Sequence, residues 1–219
     1  MKAIAVLGAL VIVVSGCASS PRGGEPSAAE QAFQGRLTGT LVTPPLDRPQ
    51  EQLRDDTGSI FDVSRRPPDE VTVLVFGYTH CPDICPTTAA ELGAARQMLT
   101  PRERERVQVA FVTEDPQRDT PQVLRHWLDR FDSSFLGVIG GNPASARMLK
   151  ELYSVATTKL ANPEQIAHSA SAGVDAVRDP HELEHTSIVY IFAPHSRSMI
   201  YTGGTSAEEY AADIRVLLA

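Results

Sequence analysis

The stretch GYTHCPDICPTT, residues 77–88, carries two cysteines four positions apart, Cys81 and Cys85. The only other cysteine of the chain is Cys17. Two thiols so spaced can close a disulfide, cycle as a redox couple, or hold a soft metal ion. A purely structural disulfide is the poorest of the three, because so small a loop gains little from being closed. The thiolate is the form that both attacks disulfides and binds metal. A helix N-terminus favours it, having unpaired N–H groups and a partial positive charge. If both cysteines lie on the first helical turn, their spacing puts them on one side. That placement makes both reactive and leaves redox and metal chemistry open.

The choice turns on a third ligand. Two thiolates leave a copper or zinc site incomplete, and histidine is the usual completion. Of the six histidines, His80 adjoins Cys81, but neighbours at a strand end point apart. His126, between Arg125 and Trp127, reads as a surface or packing residue of a helix. His168 and His181 fall in a long polar loop and His195 in a hairpin turn, where a solvated histidine is the default. His185 differs by topology, because it immediately precedes the strand SIVYIFA. An antiparallel strand starts at the sheet edge where its parallel neighbours end, and that edge carries Cys81 and Cys85. His185 is therefore the candidate third ligand, set against a satisfied structural histidine.

The elements that must position these residues are legible in outline. VTVLVFG (71–77) and VQVAFVT (107–113) are apolar on both faces, as buried parallel strands are. A helix is predicted over 83–99 between them, which makes the pair parallel. PRERER (101–106) reads as a solvated charged connection. A helix over 119–131 has Thr120 as cap, Pro121 in its first turn and a stripe of Val123, Leu124, Trp127, Leu128 and Phe131. A short strand over 135–140 follows, then a helix from Asn142 with Pro143 inside. Residues 156–183 read as a long loop. SIVYIFA (187–193) and SMIYTG (198–203) form a hairpin about PHSR. Ser206 and Glu209 make a capping box for a last helix whose Tyr210, Ile214 and Leu217 face inward. Residues 36–64 are irregular, with short strands at 37–43 and 59–63. The order predicts an α/β protein of thioredoxin-like fold, a central mixed sheet flanked by helices with C-x3-C at the first strand-to-helix turn.

The 219 residues suit one domain with accessory segments, and 42% hydrophobic content suffices for a full core. A formal charge of −7 gives no support to a nucleic-acid partner. Lys2 and an apolar run of 12 residues read as a signal peptide over residues 1–16. The run is short of the roughly 20 residues that span a bilayer. It ends in VSGC, which resembles a bacterial lipobox and makes Cys17 a lipidation site. Residues 17–35 are then a flexible tether on the membrane, and 36–219 the folded domain outside the cytoplasm. With Cys17 lipidated, Cys81 and Cys85 can pair only with each other.

Three stretches in order, VLVFGYTHCPDICPTT, FVTEDPQRDTPQVLRHWLDRF and ELEHTSIVYIF, resemble the signatures of the Sco/SenC copper-chaperone family. The resemblance spans residues 50–219. It implies copper, as Cu(I) or Cu(II), bound by Cys81, Cys85 and His185. It implies a carrier rather than an enzyme, delivering copper to the binuclear copper centre of a respiratory haem–copper oxidase. The partners implied are the oxidase's copper-binding subunit and another extracytoplasmic copper carrier or thiol reductant. Asp115 matches a family acid and, following the strand 107–113, is expected to orient the site or bind weakly; a turn residue beside Pro116 is the alternative. Glu114 stands where the family often has an aliphatic residue, and Glu184 where Asp is usual. Two other functions fit the same residues. A thiol–disulfide reductase acting on the oxidase needs both cysteines but not His185, and a redox or copper sensor delivers nothing.

Overall fold

The structure, a computed structural model, describes residues 27–159 and 188–219. Cys17, His168, His181 and His185 lie outside the described residues, as do the signal segment and the first part of the tether.

The sheet is built outward from β4 (Val71–Gly77), all seven of whose residues are buried. β5 (Val107–Thr113) pairs with it in parallel, from Val71 opposite Val107 to Gly77 opposite Thr113. β6 (Leu136–Ile139) extends the parallel set beyond β5. On the other side β7 (Val189–Ala193) runs antiparallel to β4, and β8 (Arg197–Tyr201) antiparallel to β7. Their hairpin turns at His195 and Ser196, both at positive φ (59° and 54°), as a two-residue turn matched to strand twist requires. Short strands close the edges: β1 (Thr40–Leu41) beside β8, and a β2 (Leu53–Asp55)–β3 (Ile60–Phe61) hairpin beside β6. The expected strands at 37–43 and 59–63 contain β1 and β3. β2 is an addition, only three residues long.

β4 is apolar on both faces because helices cover both. Val71, Val73 and Val75 pack into one core with Ala89 and Leu92 of α2 (Ile84–Met98), Leu124 and Trp127 of α4 (Pro121–Leu128), and Tyr210 and Ile214 of α6 (Ala207–Leu218). Leu74 and Phe76 pack into the opposite core with Met148 and Leu152 of α5 (Pro143–Lys159). Each Val, Leu, Ile, Phe or Met among them contributes about 1.5–3 kcal/mol by leaving water. The caps fall as predicted: Thr120 accepts from Val123 N at 3.3 Å, and Ser206 with Glu209 forms a capping box. Val123, placed in the buried stripe, is instead 39% exposed.

Two segments depart from expectation through capping boxes. Residues 101–106 are not a bare connection: α3 (Pro101–Glu105) forms on the Thr100–Glu103 pair. Part of the predicted tether is likewise ordered, as α1 (Ala28–Gln34) on the Ser27–Glu30 pair. α1 is fastened to the sheet. Gln34 Nε2 donates to Gly39 O at 2.9 Å, and its Oε1 accepts from Leu41 N at 2.6 Å, so one side chain serves the outer edge of β1. The buried Asp213 carboxylate accepts from Thr38 N, Gly39 N and Tyr201 Oη at 2.8–3.0 Å. Arg197 lies 4.2 Å over the Phe33 ring. α5 runs to Lys159, so helix occupies the first residues of the predicted loop.

Candidate metal centre at the end of β4

The parallel strands β4 and β5 end together, Gly77 opposite Thr113, and Glu114 N extends the ladder to Gly77 O at 2.8 Å. β4 leads into a tight turn closed by Cys81 N on Tyr78 O at 3.2 Å. The turn is held from below by Asp119, which is fully buried. Its carboxylate accepts from Thr79 N at 2.9 Å, Thr79 Oγ1 at 2.5 Å and Thr113 Oγ1 at 2.6 Å. A buried carboxylate without such donors would be costly. With them it ties the turn that carries Cys81 to the end of β5.

Helix α2 starts at Ile84, so Cys85 is in its first turn and Cys81 lies outside it, three residues before the start. The two sulfurs are nevertheless on one side, as the spacing suggested, by a different route. Asp83, at the N-cap, makes no side-chain cap bond. Instead the Cys85 amide donates to Cys81 Sγ at 3.4 Å, so the sulfur does the work of a cap on one orphan N–H. Cys81 is 6% and Cys85 3% exposed, and no disulfide joins them. Sharing a hydrogen bond with Cys81, together with burial and the nearby charge of Glu114, pushes the Cys85 thiol up. Cys85 therefore holds its proton, and Cys81 Sγ is the sulfur that accepts the helix amide.

The sulfurs fit a soft cation. They converge in a nearly dry cradle whose wall is Gly77, where a Cβ would lie 2.6 Å from Cys85 Sγ. Thiolates of this kind select Cu(I), Zn or iron–sulfur species. No described His, Asp or Glu joins the two cysteines to make a three-ligand group. His185 lies outside the described residues. Asp115 does follow β5 to the expected edge, but its carboxylate is taken by Arg118, whose guanidinium stands 6.0 Å over the Tyr78 ring. The acid that reaches the Cys81 turn is Asp119, four residues on. His80 also belongs there, with Nδ1 3.1 Å from Thr79 Oγ1 and 3.7 Å from Asp119 Oδ1. His195 is exposed in its turn and His126 exposed on α4.

The fold and this site define a thioredoxin-like protein with a buried, hydrogen-bonded cysteine pair at the first strand-to-helix turn. The chain belongs to the SCO1/SenC family, whose profile matches residues 52–219. An SCO2-like protein of Rickettsia felis is 37% identical over 89 residues, which are 41% of this chain and 42% of that protein. The chain spans half or less of the length of the curated relatives it matches. Among solved structures, Bradyrhizobium japonicum ScoI with copper bound superposes with a TM-score of 0.55 at 26% identity, covering 79% of this chain and all of that one. Apo Sco1 of Thermus thermophilus gives 0.52 at 30% identity, covering 83% and 94%.

Proposed function

We propose that the protein is an extracytoplasmic copper carrier that binds the ion through Cys81, Cys85 and His185 and passes it to the copper-binding subunit of a respiratory oxidase. The observation that carries this reading is the pair of buried sulfurs brought together at the Gly77 cradle, a donor set suited to Cu(I). The fold shared with copper-bound ScoI supports it. His185 completes the set and lets the site hold Cu(II) as well, since imidazole suits that state. A three-ligand site leaves a position at which a partner's thiolate can enter before the carrier's own ligands leave. Cys17 is lipidated and holds the protein on the membrane.

The unequal sulfurs favour a second activity. Cys81 thiolate attacks a partner disulfide, forming a mixed disulfide and releasing one partner thiolate. Cys85, on losing its proton, attacks Cys81 sulfur, which closes the Cys81–Cys85 disulfide and frees the second partner thiolate. This dithiol chemistry does not use His185.

Metal analysis after reduction and copper loading separates the two. His185→Ala is expected to keep its thermal transition and its thiol cycling while losing tight copper binding. Copper bound as tightly by that variant as by the wild type would leave the reductase in place of the carrier.

A further inference from the structure

On the carrier reading, an ion bound for the cysteine pair must shed water before it reaches sulfurs that are 6% and 3% exposed. The surface donors it meets first are therefore part of the chemistry. Next to Cys81 a cleft of about 470 Å³ is lined by Thr79 and His80 of the turn and by Gln122, Val123, His126 and Trp127 of α4. Its two imidazoles are its metal-binding groups, and no carboxylate lines it.

His80 is prepared for such a role by its hydrogen bonds. Thr79 has one hydroxyl proton, and it goes to Asp119 at 2.5 Å. Toward His80, at 3.1 Å, the same oxygen can only accept, so Nδ1 carries the ring proton and Nε2 the lone pair. Asp119 stands 3.7 Å behind Nδ1. Thr79 Oγ1, itself held by Asp119, thus sets the orientation of the ring. The His80 side chain is 53% exposed at the rim of the cleft. His126 is exposed on the helix that forms the rest of the cleft. Arg130 also lines the cleft, with its guanidinium 5.5 Å over the Phe131 ring. Its positive charge opposes long residence of a cation, which suits a station that an ion must leave.

We propose that His80 and His126 form a landing site for Cu(II), which imidazole nitrogens favour, and that the ion passes from there to Cys81 and Cys85. The site speeds loading and adds nothing to final affinity.

The test follows Cu(II) loading of the reduced full chain by rapid mixing, read from the thiolate-to-copper charge-transfer band. In His80→Gln and in His126→Gln, loading slows by about tenfold or more, the usual size of a lost metal contact, while the equilibrium affinity of the cysteine pair is unchanged. The double variant Cys81→Ser/Cys85→Ser keeps a weak Cu(II) site with nitrogen hyperfine structure in its paramagnetic resonance, lost when either histidine is replaced. The histidines outside the described residues are present in every arm and serve as the internal control. Wild-type loading rates in both histidine variants would overturn the proposal. So would a fall in affinity that tracks the fall in rate, since it would make these histidines resident ligands. Absence of the charge-transfer band in the wild type would strike down the carrier reading instead, while histidine-dependent copper in the double variant would still support the landing site.

Discussion

Cys85 Sγ occupies the space that a side chain on residue 77 would need, because a Cβ on Gly77 would lie 2.6 Å from it. The strand ends in glycine so that the sulfur can come down against the sheet and face Cys81. Gly77→Ala should displace the sulfur and cost about 1–3 kcal/mol through overpacking. Its copper affinity should fall with its melting temperature. A variant that melts lower but titrates with copper like the wild type would show that the sulfur moves without consequence for the site.

The two thiols should differ in reactivity and give copper binding a defined pH dependence. Cys85 keeps its proton through the neutral range, since its thiol is pushed up by Cys81 and by burial. Binding must expel that proton, so apparent copper affinity should rise with pH, by roughly tenfold per unit for each proton displaced. Titrations between pH 6 and 8 check the slope, and a flat profile would contradict the assignment. Alkylation should modify Cys81 before Cys85, as peptide mapping of partly labelled protein would report.

Asp119 and Asp115 should behave unlike each other despite their proximity in sequence. Asp119→Ala removes the acceptor of Thr79 N and of two threonine hydroxyls, that of Thr113 fully buried, at a cost of about 3 kcal/mol. Asp115→Ala loses an ion pair to a partly exposed Arg118, worth about 1 kcal/mol or less. Chemical denaturation of the two variants decides the order, and the reverse order would mean that Asp119 does not hold the turn.

Stability should fall in alkali. Burial, then the Asp213 charge and hydrogen bond, push the Tyr201 hydroxyl up, and burial pushes Tyr210 up to about 12. Tyrosine in the unfolded chain titrates near 10. Between these values the unfolded state releases protons that the folded state keeps. The stabilisation is therefore complete below about pH 10 and is lost as pH rises through the folded values. Denaturant midpoints measured from pH 8 to 12 should decline across the upper half of that range, and less steeply in Tyr210→Phe.

What could be read in the sequence was what packing dictates locally. β4 and β5 announce themselves because covered faces demand apolar residues at every position, and α4 and α6 because their caps are written in Thr120-Pro121 and Ser206–Glu209. β2 was illegible because three residues carry no periodicity, and its place beside β6 is decided by long-range pairing. α1 was hidden because its small polar composition suits a tether, although Ser27 and Glu30 spell a capping box. At the site, Cys81 and Cys85 were evident, but their contact runs through the Cys85 amide rather than a shared helical turn. Asp115 was the natural candidate because it follows the strand. The chain curls back through Asp119 N on Asp115 O at 2.8 Å, and that curl delivers the second aspartate to the Thr79 turn. No spacing rule reports which of two acids a loop will turn inward.

The carboxamide of Gln34 acts as a single-residue ninth strand, filling the outward-facing hydrogen-bond positions of Gly39 and Leu41. The folded unit therefore includes α1, which lies upstream of the point where the family profile begins. A fragment cut at 36 would bare the rim of β1, and one cut at 52 would bare the outer edge of β8 that β1 otherwise pairs. Uncovered rims of this kind recruit other chains. Such fragments should self-associate edge to edge and mislead any measurement of copper stoichiometry, whereas a fragment that keeps α1 should stay monomeric.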